Sequence, residues 1–278
     1  MSNIHLNYGF IDNLQGFKYH KINDITYLTI KSFTQTNLVK HAFTTRLGGV
    51  SRGSYAELNL ALHVGDIVDD VLDNRRRVCR IFGIDLKNLV CGEQVHGDKV
   101  MLVTREHIGC GALSLSDVLP AVDALITKDR GVALMSFYVD CVPLFFLDPL
   151  NKAVGLAHAG WKGTAKRIAV KVVENMSRFF GSKPGNMIVG IGPSIGSCCY
   201  LVDESVKNYF LDYDVLKKCG QKWHLDLKKS NKYMLMDVGV KENNIAIVDV
   251  CTCCKNDIFF SYRTSKKTGR MAALICLD

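Results

Sequence analysis

Proline is scarce, at 5 residues in a chain of 278, and the 23 glycines follow no G-X-Y period. A collagen-like or proline-rich chain is excluded. Internal repeats, low-complexity stretches and Pro/Ser-rich linkers are missing, so nothing marks an interior boundary. One domain over residues 1–278 is expected, with residues 1–35 as an N-terminal extension of it. The longest apolar run, 131–147, is broken by Asp140 and Pro143. It falls short of the roughly 18 residues of a membrane helix and reads as two buried strands. Residues 1–13 show no basic stretch followed by an apolar core, so a cytoplasmic protein with no membrane partner is expected. The 11 cysteines are too dilute for a disulfide scaffold and read as reduced thiols.

Hydrophobic residues make up 48% of the chain, enough for a sizeable core. The 35 Lys and Arg against 27 Asp and Glu leave a net charge of +8. That excess suits a small acidic ligand. It is dispersed, no nucleic-acid motif accompanies it, and no nucleic-acid partner is expected. The densest runs, Arg75, Arg76, Arg77 and Arg80, then Lys217, Lys218, Lys222, Lys228, Lys229 and Lys232, read as solvated helix faces.

Short runs rich in Val, Ile and Phe, bounded by Gly, Asp or Pro, predict strands at 25–33, 40–45, 89–95, 99–104, 123–127 and 132–139. Further strands are expected at 144–147, 153–157, 187–191, 245–250, 259–263 and 270–277. Apolar residues at helical spacing predict helices at 67–82, 164–180, 203–209 and 227–238. Strands and helices do not alternate regularly, which excludes a Rossmann chain. The reading is α+β, with much sheet and a few covering helices.

Two of the eight histidines stand where small neighbours let a ligand approach the backbone. His96 lies in GEQVHG, where a strand turns, and His158 in GLAHAGW, at the end of another strand. Cys141 lies between them in DCVP. Two imidazoles and a thiolate suit zinc with an open fourth position. The separations of 45 and 17 residues resemble no zinc finger, so satisfied core or turn histidines stand as the alternative. The loop 44–51 combines Arg46, two glycines and Ser51, either an anion cradle or a plain turn. The Gly-rich loop 190–196 departs from the dinucleotide fingerprint. Cys251, Cys253 and Cys254 read as structural thiols, and the adjacent Cys198 and Cys199 as pointing opposite ways. Asp123, opening a strand, is either a turn residue or a pocket acid.

Taken together, HAFTTRLGGVS (41–51), LNLALHVGD (58–66), NRRR (74–77), QVHG (94–97), DALIT (123–127), DCVP (140–143), HAGWKGT (158–164), GPSIGSCCY (192–200), FFSYR (259–263) and TGRMA (268–272) resemble the multicopper polyphenol oxidase, or laccase-domain (YfiH-like), family. The resemblance covers roughly 40–275. It implies a single-domain layered α/β/β/α sandwich with mixed sheets. It also implies that His96, Cys141 and His158 are metal ligands, usually for zinc. The activity it implies is on purine nucleosides: phosphorolysis of adenosine, inosine and methylthioadenosine, and deamination of adenosine. Peptidoglycan-precursor editing and copper-dependent phenol oxidation are alternatives within the family. The chain has no His-X-His pair to feed a trinuclear copper cluster, which argues against the oxidase.

On this reading Asp140 joins the ligands as a catalytic residue. Arg46 and Ser51 would clamp phosphate, and Asp123 would polarise the base or orient a ligand. The partners are a purine nucleoside and phosphate, in a monomer or homodimer. Leu201 stands where many relatives carry Glu, a change that would bear on substrate preference. Two rivals remain: a metal-free cysteine hydrolase using Cys141 with His96 or His158, and a non-catalytic module with structural zinc.

Overall fold

The computed structural model describes residues 14–278. The chain forms strands β1 (Phe17–Ile22) and β2 (Ile25–Ile30), helix α1 (Lys31–Thr36), strand β3 (Val39–Thr44) and helix α2 (Val68–Ile81). Strands β4 (Leu89–Cys91), β5 (Val100–Leu102), β6 (Ala124–Thr127), β7 (Ala133–Tyr138), β8 (Val142–Asp148) and β9 (Ala153–Ala159) come next. Helices α3 (Trp161–Ala165) and α4 (Ile168–Phe180) precede β10 (Ile188–Ile191), β11 (Leu201–Val202) and α5 (Glu204–Lys207). Strands β12 (Leu216–Cys219) and β13 (Lys222–Leu225), helix α6 (Leu227–Asp237), and strands β14 (Ile245–Ile247) and β15 (Met271–Leu277) complete the order.

Two six-stranded mixed sheets carry the fold, in the orders β1-β2-β3-β15-β7-β4 and β14-β10-β8-β9-β6-β5. The pairs β4/β7, β5/β6 and β10/β14 are parallel. The sheets stack face to face over one core that includes Phe43, Leu134, Phe145, Leu156 and Ala273. Val78 and Cys79 of α2 cover the outer face of the first sheet. Ile168, Val172 and Met176 of α4, with Leu227 and Leu235 of α6, cover the second. The result is a layered α+β fold. Strands β7, β8, β9 and β15 are buried along their whole length, which explains their unbroken apolar runs. No helix of the described residues is long and apolar enough to cross a membrane.

The extension carries structure of its own. Residues 1–13 lie outside the described residues, but β1 and β2 make a full edge hairpin on the first sheet. The strand predicted at 25–33 stops at Ile30, where α1 begins, ending on a left-handed Asn37 (φ 54°). The helix predicted from 164 is two helices, broken at Arg167, which is also left-handed (φ 60°). Residues 259–263 form turns rather than a strand, and the β12/β13 hairpin went unpredicted. The basic runs are not uniformly solvated. Arg75 is 1% exposed and donates to the carbonyls of Leu60, Gly111 and Ala112. Lys228 is buried on the carbonyls of Val248 and Val250.

Candidate active site

Three strand ends converge at one edge of the sandwich. His96 sits in the turn after β4, Cys141 in the crossover from β7 to β8, and His158 in β9. One ligand atom from each lies within 4.8 Å of the others. The two imidazoles meet edge to face, with centroids 4.8 Å apart.

Asp123, immediately before β6, organises two of the three. Its carboxylate accepts the backbone N–H groups of Val95 (3.1 Å), His96 (3.0 Å) and Gly97 (2.7 Å). These bonds hold His96 in the left-handed region (φ 58°), a conformation that such a residue adopts only when its surroundings impose it. The same carboxylate lies 2.9 Å from His158 Nδ1. That leaves Nε2 of His158 to face the site, as carboxylate–histidine pairs do at metal centres. Gln94 supports the turn from its other side, exchanging two hydrogen bonds with the backbone of Phe137 at 2.8 and 2.7 Å.

Asp140 is a hub of a different kind. It too is left-handed (φ 71°). Its carboxylate accepts from Thr252 Oγ1 (2.6 Å), Ser261 Oγ (3.1 Å) and Arg263 N (2.9 Å), and its carbonyl accepts Ile195 N. It therefore ties the 192–200 and 252–263 segments to the Cys141 crossover.

Electrostatics make the site a thiolate–imidazolium pair. Burial alone would raise the Cys141 thiol, but His158 and His96 beside it bring it down to about 6. Burial likewise opposes charge on His158, yet Cys141 and Asp123 raise it to about 9. Desolvation also pushes on Asp123, but His158 and the Gly97 and Val95 amides keep its carboxyl below the ordinary range.

The donor set fits a metal ion. The sulfur and both imidazoles converge, and Gly160 keeps the space clear. A Cβ there would stand 2.9 Å from His96 Cδ2 and 3.1 Å from Cys141 Sγ.

The site opens into a cavity of about 450 Å³, within the usual size of a small-molecule site. Phe137, Tyr200 and Tyr262 supply aromatic wall, and Arg263 and Arg270 supply positive charge. His63 also lines it. Desolvation, with Arg270 and Arg75 nearby, holds His63 down to about 4, so it faces a ligand as neutral imidazole.

The structure thus brings together His96, Cys141, His158, Asp140 and Asp123. It does not bring Arg46 or Ser51. Arg46 donates to the carbonyls of Ala56 and Asn256 and lies over the Phe260 ring. Ser51 is buried and accepts from Asn74. Both hold the 44–59 loop in shape. Leu201 of β11 pairs with His224 of β13, while its neighbour Tyr200 lines the cavity. Sequence reasoning missed His63, Gln94, Tyr200, Arg263 and Arg270. Each lies inside or beside a motif (LNLALHVGD, QVHG, CCY, FFSYR, TGRMA), which was the only signal they carried.

A layered α+β fold with a histidine–thiolate centre in a cationic, aromatic cavity defines the class. The chain belongs to the family described as multi-copper polyphenol oxidoreductase laccase, whose model matches residues 40–278. It is 41% identical to the purine nucleoside phosphorylase YlmD of Geobacillus stearothermophilus over 84% of this chain and 88% of that one. The Bacillus subtilis protein of the same name is 38% identical over 89% and 93%. The crystal structure of the Geobacillus YlmD superposes with a TM-score of 0.90 at 36% identity, covering 95% of this chain and 99% of that one. A Bacillus licheniformis YfiH structure superposes at 0.88, also with 36% identity, covering 94% and 99%.

Proposed function

We propose that this protein is a zinc-dependent purine nucleoside phosphorylase. The single observation that carries the reading is the convergence of His96, Cys141 and His158 on the floor of an aromatic cavity flanked by Arg263 and Arg270. Relatives named purine nucleoside phosphorylase support it. In phosphorolysis the bond from the purine N9 to the sugar C1′ breaks. A phosphate oxygen bonds to C1′, and a proton goes to the departing base. Arg263 and Arg270 meet the phosphate in place of Arg46, as guanidinium forks suited to its oxygens. Phe137, Tyr200 and Tyr262 offer faces for the purine. His63, neutral, offers a hydrogen bond without adding charge. Asp123 and Asp140 act as positioning residues, since their oxygens are already occupied. When bound to the three ligands, zinc supplies Lewis acidity, the means of acidifying a water toward a pKa of about 7. That chemistry also serves deamination of adenosine, which belongs to the same reading.

Four further histidines among the described residues speak against a multicopper arrangement. His20 is held by Thr29, His41 by Ile30 N, His107 by Thr104 and His224 by Ser197 O. None of these four is placed to join a trinuclear cluster. The test follows adenosine with and without phosphate alongside metal content. Phosphate-dependent adenine release, lost when zinc is removed, is expected, and inosine without phosphate would add the deaminase. Adenosine, inosine and methylthioadenosine all left intact by zinc-loaded protein would sink the purine assignment.

A further inference from the structure

A second convergence of donors lies outside this site. Cys198 and Cys199, from the loop after β10, meet Cys251 and Cys254, from the turns before β15. All four sulfurs lie within 4.8 Å of one another. Cys254 Sγ is 3.4 Å from Cys199 Sγ and 3.6 Å from Cys198 Sγ. A zinc ion bound to four thiolates at about 2.3 Å sets its sulfurs about 3.8 Å apart, so little movement separates this cluster from a closed tetrahedron. The two adjacent cysteines do not point opposite ways, since both reach Cys254. Cys251 and Cys254 have C-x-x-C spacing, and a second pair is supplied by Cys198–Cys199, more than fifty residues upstream.

The surroundings are shaped for the thiolates. Gly196 N donates to Cys251 Sγ at 3.2 Å, a bond typical of the outer shell around a metal. A Cβ at Gly196 would stand 3.1 Å from Cys251 Cβ and 3.2 Å from Cys198 Sγ. Ser194 and Cys251 form a parallel bridge, and Thr252 N donates to Ser194 O, which fixes the two segments in register. Cys253, between Cys251 and Cys254, contacts Thr264 Oγ1 and Cys199 but stands outside the group of four mutually close sulfurs. Cys198 and Cys254 are exposed, unusual for thiols that serve only to pack.

We infer that Cys198, Cys199, Cys251 and Cys254 form a second, structural zinc site. It clamps the 192–200 loop to the 251–263 turns, the two segments that bring Ile195, Tyr200, Tyr262 and Arg263 to the cavity wall. Four protein ligands leave no open position, so this zinc is structural and distinct from the three-ligand centre. The inference does not depend on the purine reading.

The test uses the full chain, reduced and loaded with cobalt(II). Wild-type protein is expected to bind two equivalents. Cys141→Ala, which removes a ligand of the other centre, is expected to keep one, with the strong charge-transfer absorption of several thiolates. Cys254→Ser is expected to lose one equivalent and Cys253→Ser none. A Cys141→Ala protein that binds no cobalt overturns the inference. So does equal loss from Cys253→Ser and Cys254→Ser, acid-labile sulfide in the purified protein, or a disulfide within the cluster that persists under reductant. If Cys254→Ser fails to fold, the Cys141→Ala measurement decides alone.

Discussion

Cys141 gathers the chemistry of the site into one sulfur. A thiol at its ordinary value would be mostly protonated at neutral pH, but the imidazoles beside it keep it ionised down to about 6. With His158 raised to about 9, the thiolate–imidazolium pair persists between those values in metal-free protein. The thiolate is the nucleophile, so alkylation of metal-free Cys141 by iodoacetamide should stay near its maximum down to pH about 6. Below that it should fall about tenfold per pH unit as the sulfur is protonated. Zinc should protect it throughout. Mass spectrometry of the labelled peptide across pH decides the matter: labelling that rises only near pH 9 would mean that the imidazoles do not hold the charge. His96 and His158 stood out in the sequence by their small neighbours and Cys141 by the proline that follows its strand, and it was the family resemblance that joined them as a ligand set. Spacing by itself could not have joined them, because no rule links residues 45 and 17 positions apart.

Among the elements, the 95–97 turn depends on Asp123 more than on its own residues. Three successive N–H groups and one imidazole end on a single carboxylate. Asp123→Asn keeps the shape but replaces one acceptor oxygen with an N–H donor and removes the charge. Zinc affinity should drop about 10- to 100-fold, the usual cost of losing a partner behind a ligand, with secondary structure unchanged by circular dichroism. A competitive chelator titration reads it, and an unchanged affinity would leave Asp123 as a plain turn residue. Buried strands such as β8 and β9 were legible as apolar runs. The break at Arg167 was not, since the apolar spacing of 164–180 continues through it. Residues 259–263 read as a strand because they open on two phenylalanines, but those rings are buried in the core while Ser261 and Arg263 bind Asp140 rather than a ladder.

The whole molecule rests on contacts that composition hides. Arg75 lies within a run of arginines, yet it alone is pinned under the first sheet by three carbonyls. Arg75→Ala leaves those acceptors without partners and should cost about 3 kcal/mol. Arg76→Ala, next to it and exposed, should change stability by less than about 0.5 kcal/mol. Urea unfolding of the two variants separates them, and equal midpoints would show that the burial of Arg75 carries no weight. Charge patterning could not tell these neighbours apart, because only the packing of α2 on the first sheet does so. The same two-sheet plan bears on the proposed metal centre. His96 leaves the first sheet, His158 belongs to the second, and Cys141 sits on the chain that passes between them. Neither sheet alone presents the full set, so the three-ligand centre is complete only when the two sheets are docked. Tight metal loading at that centre would then report that both sheets have come together.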